Sequence, residues 1–428
     1  MRLLRTLGLG FGLAVIIGNS IGAGIFRAPA EVAGHLPAVP LFLAAWVAGG
    51  VYALLGAIQI AELAAMLPLA GGQYVFARRA LGEYAGFVVG WSDWLSTCGT
   101  AAAVALVIGE FSTGPFGLSR GAAVATAAAV AVAFAAIQAR GIRWGSAVQN
   151  LTSALKALIF LFLVVAGMAA GDAGADPSPS MPATGLALGA AFVLALQSVI
   201  YTYDGWTAVI YFSEEVREAE RDVPRALFGG VLSLVAIYLL VNVSLVAVLP
   251  LSAIAGAEFA IGAAAGAIFG GYGDPIFRTA TIVALLSALN SNHLMASRTL
   301  FAMSRDGLFW RRATDVNPGG TPVVALVLSA AVALVFIVFG RTFQQVITVL
   351  AFFFVANYAL SFTSVFVLRR REPERARPYR AWGYPWTTGL ALAGSVAFLA
   401  GAVAGDTRNS VYALLLLAAS YPVFRLIR

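Results

Sequence analysis

The chain of 428 residues has little charge, one cysteine and two histidines. Charged residues make up 11% of it, against about 25% in soluble domains, which excludes a water-soluble globular protein. The single Cys98 excludes a disulfide framework, and with only His35 and His293 no metal or other cofactor is expected. The net charge of +7 comes from arginines in short loops, without the aromatic-interleaved basic patches of nucleic-acid binders.

Apolar runs fill most of the chain. Hydrophobic residues account for 60% of the sequence, and the mean hydropathy is +0.87. Because ~20 apolar residues in a helix span a bilayer, these runs predict an all-α polytopic membrane protein with about twelve transmembrane helices. The predicted spans are 7–34, 38–66, 84–111, 120–138, 146–170, 185–212, 226–250, 275–303, 322–340, 343–368, 386–405 and 409–427.

Arginines are distributed unevenly among the loops. If the N-terminus is cytoplasmic, the loops on the opposite side hold only Arg120, Arg341 and Arg408. The cytoplasmic loops and tails then hold Arg2, Arg5, Arg78, Arg79, Arg140, Arg143, Arg217, Arg221, Arg225, Arg305, Arg311, Arg312, Arg369, Arg370, Arg371, Arg375, Arg377, Arg380, Arg425 and Arg428. This bias predicts a multi-pass protein of the cell inner (plasma) membrane with both termini in the cytoplasm.

Two spans contain residues that interrupt a transmembrane helix. The first carries Gly18-Asn19-Ser20-Ile21-Gly22-Ala23-Gly24, and the sixth carries Tyr201-Thr202-Tyr203-Asp204-Gly205-Trp206. Glycine costs ~1 kcal/mol in a helix interior. Backbone groups freed within hydrocarbon must find partners, so each break is expected to line a cavity.

The two breaks lie five helices apart, which is typical of an inverted-repeat transporter. We expect one transmembrane domain over residues 1–428, with one repeat at about 7–170, a second at about 185–368 and two further helices at about 386–427. The N-terminus of a half-helix offers N–H groups to a carboxylate, and its C-terminus offers carbonyls to an ammonium group. The predicted site therefore suits a zwitterion.

The candidate binding residues follow from these half-helix ends. The carboxylate is assigned to the backbone of Ser20, Ile21, Gly22, Ala23 and Gly24, and the amine to carbonyls near Ile17 and at Tyr201, Thr202 and Tyr203. Asn19 and Asp204 add polar side chains to the two breaks. Asp204 has three candidate partners: the substrate amine, a polar group across the cavity, or the N–H groups of a half-helix that begins near Gly205.

Ionisable residues inside the predicted spans are candidate functional residues, because a charge within the membrane is costly. Lys156, the only lysine, lies near the middle of the fifth span and is the candidate coupling residue, with a structural lysine as the alternative. Glu62 is expected to be a structural anchor. Asp93 and Glu110 are expected near the two ends of the third span, where a charge reaches headgroup water. His293 is equally compatible with cavity lining and with interhelical hydrogen bonding.

Several short motifs resemble those of the amino acid–polyamine–organocation permeases, with closest similarity to the L-type amino acid transporter branch. The motifs are Gly22-Ala23-Gly24-Ile25-Phe26, Ala61-Glu62-Leu63 with Pro68 and Gly71-Gly72-Gln73-Tyr74, Tyr201 to Trp206, Glu214-Glu215 with Pro224-Arg225-Ala226, and Met303-Ser304-Arg305-Asp306-Gly307. Ala23, Ser20 and Tyr201 depart from the family pattern where relatives contact substrate.

The resemblance implies twelve helices, two inverted five-helix repeats and transport of an amino acid, by uniport, exchange or proton symport. The alternatives are a carrier of polyamines or cationic amino acids with the same fold, or a channel with a continuous polar pore. The expected partners are an amino acid, the lipid bilayer and, for symport, protons, with an accessory subunit left open. An enzyme is not expected, because no convergent catalytic set can be assembled.

Overall fold

The computed structural model describes residues 3–171, 186–339, 343–405 and 407–427. Within these ranges the chain forms α-helices joined by short loops and 3-10 turns, with no β-strand. The α-helices are α1 Leu9–Ser20, α2 Ala23–His35, α3 Val39–Met66, α4 Gln73–Leu81, α5 Glu83–Thr113, α6 Arg120–Ala139, α7 Ile142–Ala170, α8 Leu186–Tyr203, α9 Ala219–Val248, α10 Leu251–Gly256, α11 Ala260–Phe269, α12 Gly273–Arg305, α13 Val323–Phe339, α14 Phe343–Arg371, α15 Trp386–Gly405 and α16 Thr407–Ile427. Arg2, Gly185, Gly340, Arg341 and Arg428, which belong to the predicted spans and charge pattern, lie outside the described residues.

The helices follow the predicted spans in order, and the prediction of an all-α polytopic membrane protein is confirmed. In the described part of the chain, nine helices are long and apolar enough to cross a bilayer, and the bent pair α1–α2 makes ten. The other two predicted positions are occupied by α12, with 33 residues, and α13, with 17. The division into two inverted repeats remains a prediction.

Three short helices were not predicted from the sequence. Helix α4 connects α3 to α5, and α10 and α11 connect α9 to α12. Helices α10 and α11 both pack against α2, the second half of the broken first span. Their 6 and 10 residues are too few to cross a bilayer, so a search for transmembrane runs misses them.

Both described ends of the chain lie at one end of the bundle, which we call the terminal face. It is defined by Leu7, Tyr84, Glu215, Arg305, Glu372 and Phe424. Leu7 pairs with the segment after the sixth span, because its N–H donates to the Glu215 carbonyl at 3.0 Å and its carbonyl accepts from the Arg217 N–H at 3.0 Å. The ring of Phe424, near the other end, lies 5.3 Å from that of Tyr84.

Ion pairs hold the terminal face together. Arg298 of α12 donates to both carboxylate oxygens of Glu215, at 2.9 and 3.1 Å, and both side chains are completely buried. Arg305 pairs with Glu214 at 2.6 Å. Nearby, the hydrogen bond from Arg79 holds the pKa of Glu372 below its ordinary value. Charge pairs between segments that are distant in sequence therefore hold this face together.

Glu62 near the end of α3 anchors the loop between α14 and α15. Its two oxygens accept from Arg369 at 2.9 and 2.6 Å, from Arg377 at 3.2 Å and from the Ala381 N–H at 2.6 Å. The Glu62 side chain is only 2% exposed. These contacts agree with the predicted structural anchor.

We expect Glu62→Gln to destabilise the protein strongly. An amide cannot balance two arginines, and breaking a buried ion pair costs about 3–5 kcal/mol. The measurement is the apparent Tm in detergent, compared with Glu110→Gln, which changes an exposed carboxylate on α5. Equal Tm values for the two variants would show that the Glu62 cluster does not hold the loop.

Candidate functional site

The first break separates α1 from α2. Helix α1 ends at Ser20 and α2 begins at Ala23, and the axes of Leu9–Ser20 and Gly24–His35 differ by 50°. Between them the Gly22 N–H donates to the Ser20 carbonyl at 2.8 Å. Because the first turn of an α-helix has no acceptors inside the helix, the N–H groups of Ala23 and Gly24 are left free for another partner. Together with the helix dipole they attract negative charge.

The second break lies where the sequence predicts it, but its continuation differs. Helix α8 ends at Tyr203, and after a turn the chain continues as a 3-10 segment, Ala208–Glu215. The expected half-helix beginning near Gly205 is therefore wrong in both its type and its start. Thr207 precedes the segment, and its side chain makes no capping hydrogen bond within the described structure.

Gly205 brings the two breaks into contact. Its φ of +101° is disfavoured for residues with a side chain. A Cβ atom here would also lie 2.7 Å from the Asn19 side-chain nitrogen and 3.0 Å from the Ser20 nitrogen. Only glycine therefore allows the sixth span to approach the first so closely.

Tyr238 of α9 links the carbonyl ends of α1 and α8. Its hydroxyl lies 2.8 Å from the Ser20 carbonyl and 2.9 Å from that of Thr202. A phenol has one proton, so it donates to one carbonyl at a time; the Ser20 carbonyl also accepts the Gly22 N–H, and each carbonyl oxygen has a second lone pair that can accept from a ligand. The predicted amine acceptors are thus partly used by the protein, and the Ile17 carbonyl likewise accepts the Ile21 N–H at 3.1 Å.

Lys156 of α7 binds the break of the first span directly. Its ammonium group donates to the carbonyls of Gly18 at 2.8 Å and Ile21 at 2.5 Å, and the residue is completely buried. Cations are stabilised at the C-terminal end of a helix, which is where α1 ends. Gly18 has no room for a side chain, since a Cβ there would lie 2.0 Å from the Gln149 side-chain nitrogen.

Helix α12 holds the Asn19 side chain. The Asn19 amide oxygen accepts from the Ser291 hydroxyl at 2.8 Å and from the Asn292 amide at 3.1 Å. With the oxygen held in this way, the NH₂ group of Asn19 is directed away from α12, towards Gly205. The neighbouring Ser20 hydroxyl is buried without a hydrogen-bond partner in the described structure.

The breaks border a cavity with about 750 Å³ of space not filled by protein atoms, its open side included. Seven of the predicted residues line it, namely Asn19, Ser20, Gly22, Gly24, Tyr201, Thr202 and Asp204. Ile17, Ile21, Tyr203 and Lys156 are not among the lining residues. The Tyr203 hydroxyl instead donates to the Trp46 carbonyl at 3.2 Å. The Ala23 side chain lies outside the described part of the structure, although its backbone is described.

Asp204 has a partner across the cavity. The hydroxyl of Tyr358 on α14 donates to its carboxylate, and the Gly205 N–H also bonds to it. The Trp206 ring lies 5.2 Å from that of Tyr358. Of the three candidate partners of Asp204, the structure therefore shows the polar side chain across the cavity, Tyr358, and one local N–H group, that of Gly205.

Sequence reasoning misplaced Asp93. This residue is not near an end of its span: it is 3% exposed and lines the cavity. Helix α5 begins at Glu83, so Asp93 lies ten residues, or ~15 Å, along it. The predicted span 84–111 nearly matches this 31-residue helix, so the depth of Asp93 within the span could have been recognised from the sequence.

Of the other lining residues, Gln73 belongs to the motif Gly71-Gly72-Gln73-Tyr74, and the rest were not singled out as binding residues. These other lining residues include Gln73 of α4, Thr97 and Thr100 of α5, Thr207, Asn292 of α12 and Phe354 of α14. Single polar residues of this kind are common in apolar spans, and only packing brings them together. His293 is buried with an unpartnered ring nitrogen and is absent from the lining, whereas its neighbours Asn290 and Ser291 hydrogen-bond to other helices.

The chain matches the family model described as amino acid permease over residues 11–421. It therefore belongs to the amino acid permease family, which confirms the resemblance seen in its motifs and makes it a transporter rather than an enzyme.

Two named relatives illustrate the similarity. The chain is 30% identical to the serine/threonine exchanger SteT of Bacillus subtilis, over 99% of this chain and 96% of that protein. It is 28% identical to the b(0,+)-type amino acid transporter 1 of Homo sapiens, over 88% of this chain and 79% of that protein.

We expect Lys156→Met to abolish or uncouple transport while leaving a folded protein. Methionine cannot donate to the Gly18 and Ile21 carbonyls, and a hydrogen bond from a charged group is worth about 1.5–3 kcal/mol. The measurement is uptake into proteoliposomes from about pH 5 to about pH 8.

The matched control for this variant is Ser153→Ala. It removes from the same helix a neutral donor, whose hydroxyl bonds to the Ala14 carbonyl at 2.7 Å, and should cost only about 0.5–1.5 kcal/mol. A Lys156→Met protein with wild-type rate and pH profile would leave Lys156 with no part in coupling.

Proposed function

We propose that this protein moves small or neutral L-amino acids across the cytoplasmic membrane by alternating access, through exchange or proton coupling. One observation carries the proposal. The N-terminus of α2 and the carbonyl ends of α1 and α8 meet at the same cavity, so one ligand with adjacent carboxylate and ammonium groups satisfies both.

In this proposal the free N–H groups of Ala23 and Gly24 bind the carboxylate. The amine binds whichever of the Ser20 and Thr202 carbonyls is not taken by Tyr238, with further carbonyls of the sixth-span break nearby. Lys156 fixes the carbonyl end of α1 and is the proposed coupling residue. The substrate side chain then lies among Tyr201, the threonines of α5 and Phe354.

The remaining features of the proposal concern orientation. We propose that the protein lies in the cell inner (plasma) membrane with the terminal face on the cytoplasmic side, because the arginine-rich loops gather at that face.

The name of the relative SteT describes exchange of serine and threonine, and the polar residues of this cavity suit substrates of that size and polarity.

We expect transport to require both a free α-amine and a free α-carboxylate. N-acetylation removes the ammonium donor and methyl esterification removes the anion, so each analogue leaves one half-helix end without a partner. The measurement is uptake and thermal shift with L-alanine, L-serine and L-leucine against their N-acetyl and methyl-ester forms. Undiminished transport of both analogues would exclude the proposed site.

A carrier of cationic amino acids or polyamines is the second candidate. It is favoured by the two carboxylates that line the cavity, Asp93 and Asp204, neither of which forms an ion pair with a basic side chain in the described structure. Burying an unpaired charge is costly, and a cationic substrate would offset that cost.

We expect Asp204→Asn to keep uptake of neutral substrates nearly unchanged, because the asparagine oxygen still accepts the Tyr358 hydrogen bond. Competition assays with alanine, leucine, arginine and a polyamine provide the measurement, and Tyr358→Phe is the control that keeps the charge. A loss of competition confined to arginine and the polyamine would favour the second candidate, since a charged hydrogen bond is worth about 1.5–3 kcal/mol.

A further inference from the structure

Asp93 connects three parts of the bundle at the cavity. It lies on α5, and its two carboxylate oxygens accept from Tyr211 of the 3-10 segment at 2.8 Å and from Thr299 of α12 at 3.3 Å. All three residues are at most 3% exposed. Both Asp93 and Tyr211 line the cavity.

The partners of Asp93 are neutral. Thr299 also bonds to the Met295 carbonyl at 3.3 Å, so its single proton is shared between two acceptors. Arg298, the neighbour of Thr299 in the chain, is committed to Glu215. A buried carboxylate without a cation either shifts towards its protonated form or takes up a cation.

Several charged and titratable groups on the surrounding elements are engaged elsewhere, whereas His293 of α12 is buried with a ring nitrogen that has no hydrogen-bond partner in the described structure. Tyr74 of α4 donates to Asp306, and Tyr358 of α14 donates to Asp204. Helix α5 itself also carries the buried thiol of Cys98. Helix α6 carries charge only at Arg120 and α13 carries none, while α16 carries Arg408, Tyr412, Tyr421 and Arg425 towards its two ends. The second carboxylate of the same cavity, Asp204, disfavours a negative charge on Asp93.

We propose that Asp93 is a proton-binding site that couples amino acid transport to proton movement. The inference rests on the proposed function. The cavity delivers the proton, which forms an O–H bond on one carboxylate oxygen and is released to water on the opposite side of the membrane later in the cycle. Asp93 lines the cavity, whereas Lys156, the coupling residue proposed above, does not.

Protonation changes what Asp93 can hold. The carboxylate accepts the hydroxyl protons of Tyr211 and Thr299, whereas the protonated acid has one oxygen that donates. The protonated oxygen is also a weaker acceptor, so the hydrogen bond that it receives is weakened or reversed. Tyr211 belongs to the segment that leads to Glu215 and its buried pair with Arg298, so this bond joins the proton site to the closure of the terminal face.

The geometry around Tyr211 shows why this contact is sensitive. The Tyr211 ring lies against Gly72, where a Cβ atom would be 2.4 Å from the ring. Gly72 also has a φ of +65°. The Tyr211 ring therefore packs between α5 and the loop before α4. A change in its hydrogen bond to Asp93 affects the packing of both elements.

The test uses purified protein in proteoliposomes with radiolabelled L-serine and L-leucine. Two fluxes are measured: exchange against internal unlabelled substrate at equal pH, and net uptake driven by an acidic exterior. One pH unit supports at most about tenfold accumulation of a neutral substrate carried with one proton. The wild type is expected to show both fluxes.

Asp93→Asn is expected to lose accumulation driven by the pH gradient out of proportion to any loss of exchange, because an amide cannot take up and release the proton. Its driven accumulation should no longer increase as the exterior is acidified from about pH 8 to about pH 5. Glu110→Gln, on the same helix but exposed, is the matched control and should behave as the wild type.

Two outcomes contradict the inference. They are wild-type exchange without any accumulation driven by the pH gradient, and an Asp93→Asn protein that accumulates substrate like the wild type. Absence of all amino acid flux in the wild type would instead contradict the proposed function.

If Asp93→Asn fails to fold, Asp93→Glu and Tyr211→Phe replace it. Both keep a carboxylate, so both should retain coupling with a shifted pH profile. An unshifted profile in both would show that Asp93 has only a structural part.

Discussion

The contact of Lys156 with the end of α1 is the interaction on which the site depends. A helix that stops inside a bilayer leaves carbonyl groups that water cannot reach, and each unpaired group is expensive. The ammonium group pairs with the carbonyls of Gly18 and Ile21, at the end of the helix where the dipole favours a cation. With that end stabilised, α2 can begin anew at Ala23 with its N–H groups free for a ligand.

The second break is stabilised in a different way. Here Tyr238 reaches the Thr202 carbonyl and Tyr358 binds Asp204. Tyr238 also bonds to Ser20, so both breaks share one hydroxyl. The phenol has a single proton and donates to one carbonyl at a time, and the Ser20 carbonyl also accepts the Gly22 N–H. In the proposed function, the ammonium group of the substrate binds a remaining lone pair of these carbonyls.

The terminal face and the cavity are parts of one structure. The 3-10 segment Ala208–Glu215 has Asp93 as a partner near its middle, through Tyr211, and Arg298 at its end, through Glu215. Breaking a buried ion pair by removing one partner is costly, so the pair holds the end of the segment against α12. The segment also has 3-10 hydrogen bonds, and their geometry is poorer than that of α-helical hydrogen bonds. It is the element best placed to change between states.

The sequence alone determined that the chain is helical, lies in a membrane and is broken in its first and sixth spans. These features are local, because apolar length and the cost of glycine within a helix do not depend on the rest of the fold. The same reasoning predicted seven residues that line the cavity, and a coupling role for Lys156 that stays a prediction, but it misjudged Asp93, Tyr203 and the start of the half-helix after Gly205. Tertiary structure decided those, because the burial of a carboxylate and the direction of a tyrosine depend on which helices pack beside them. Tyr211, Tyr238 and Tyr358 became part of the site only when the fold placed each hydroxyl against a carboxylate or an open carbonyl.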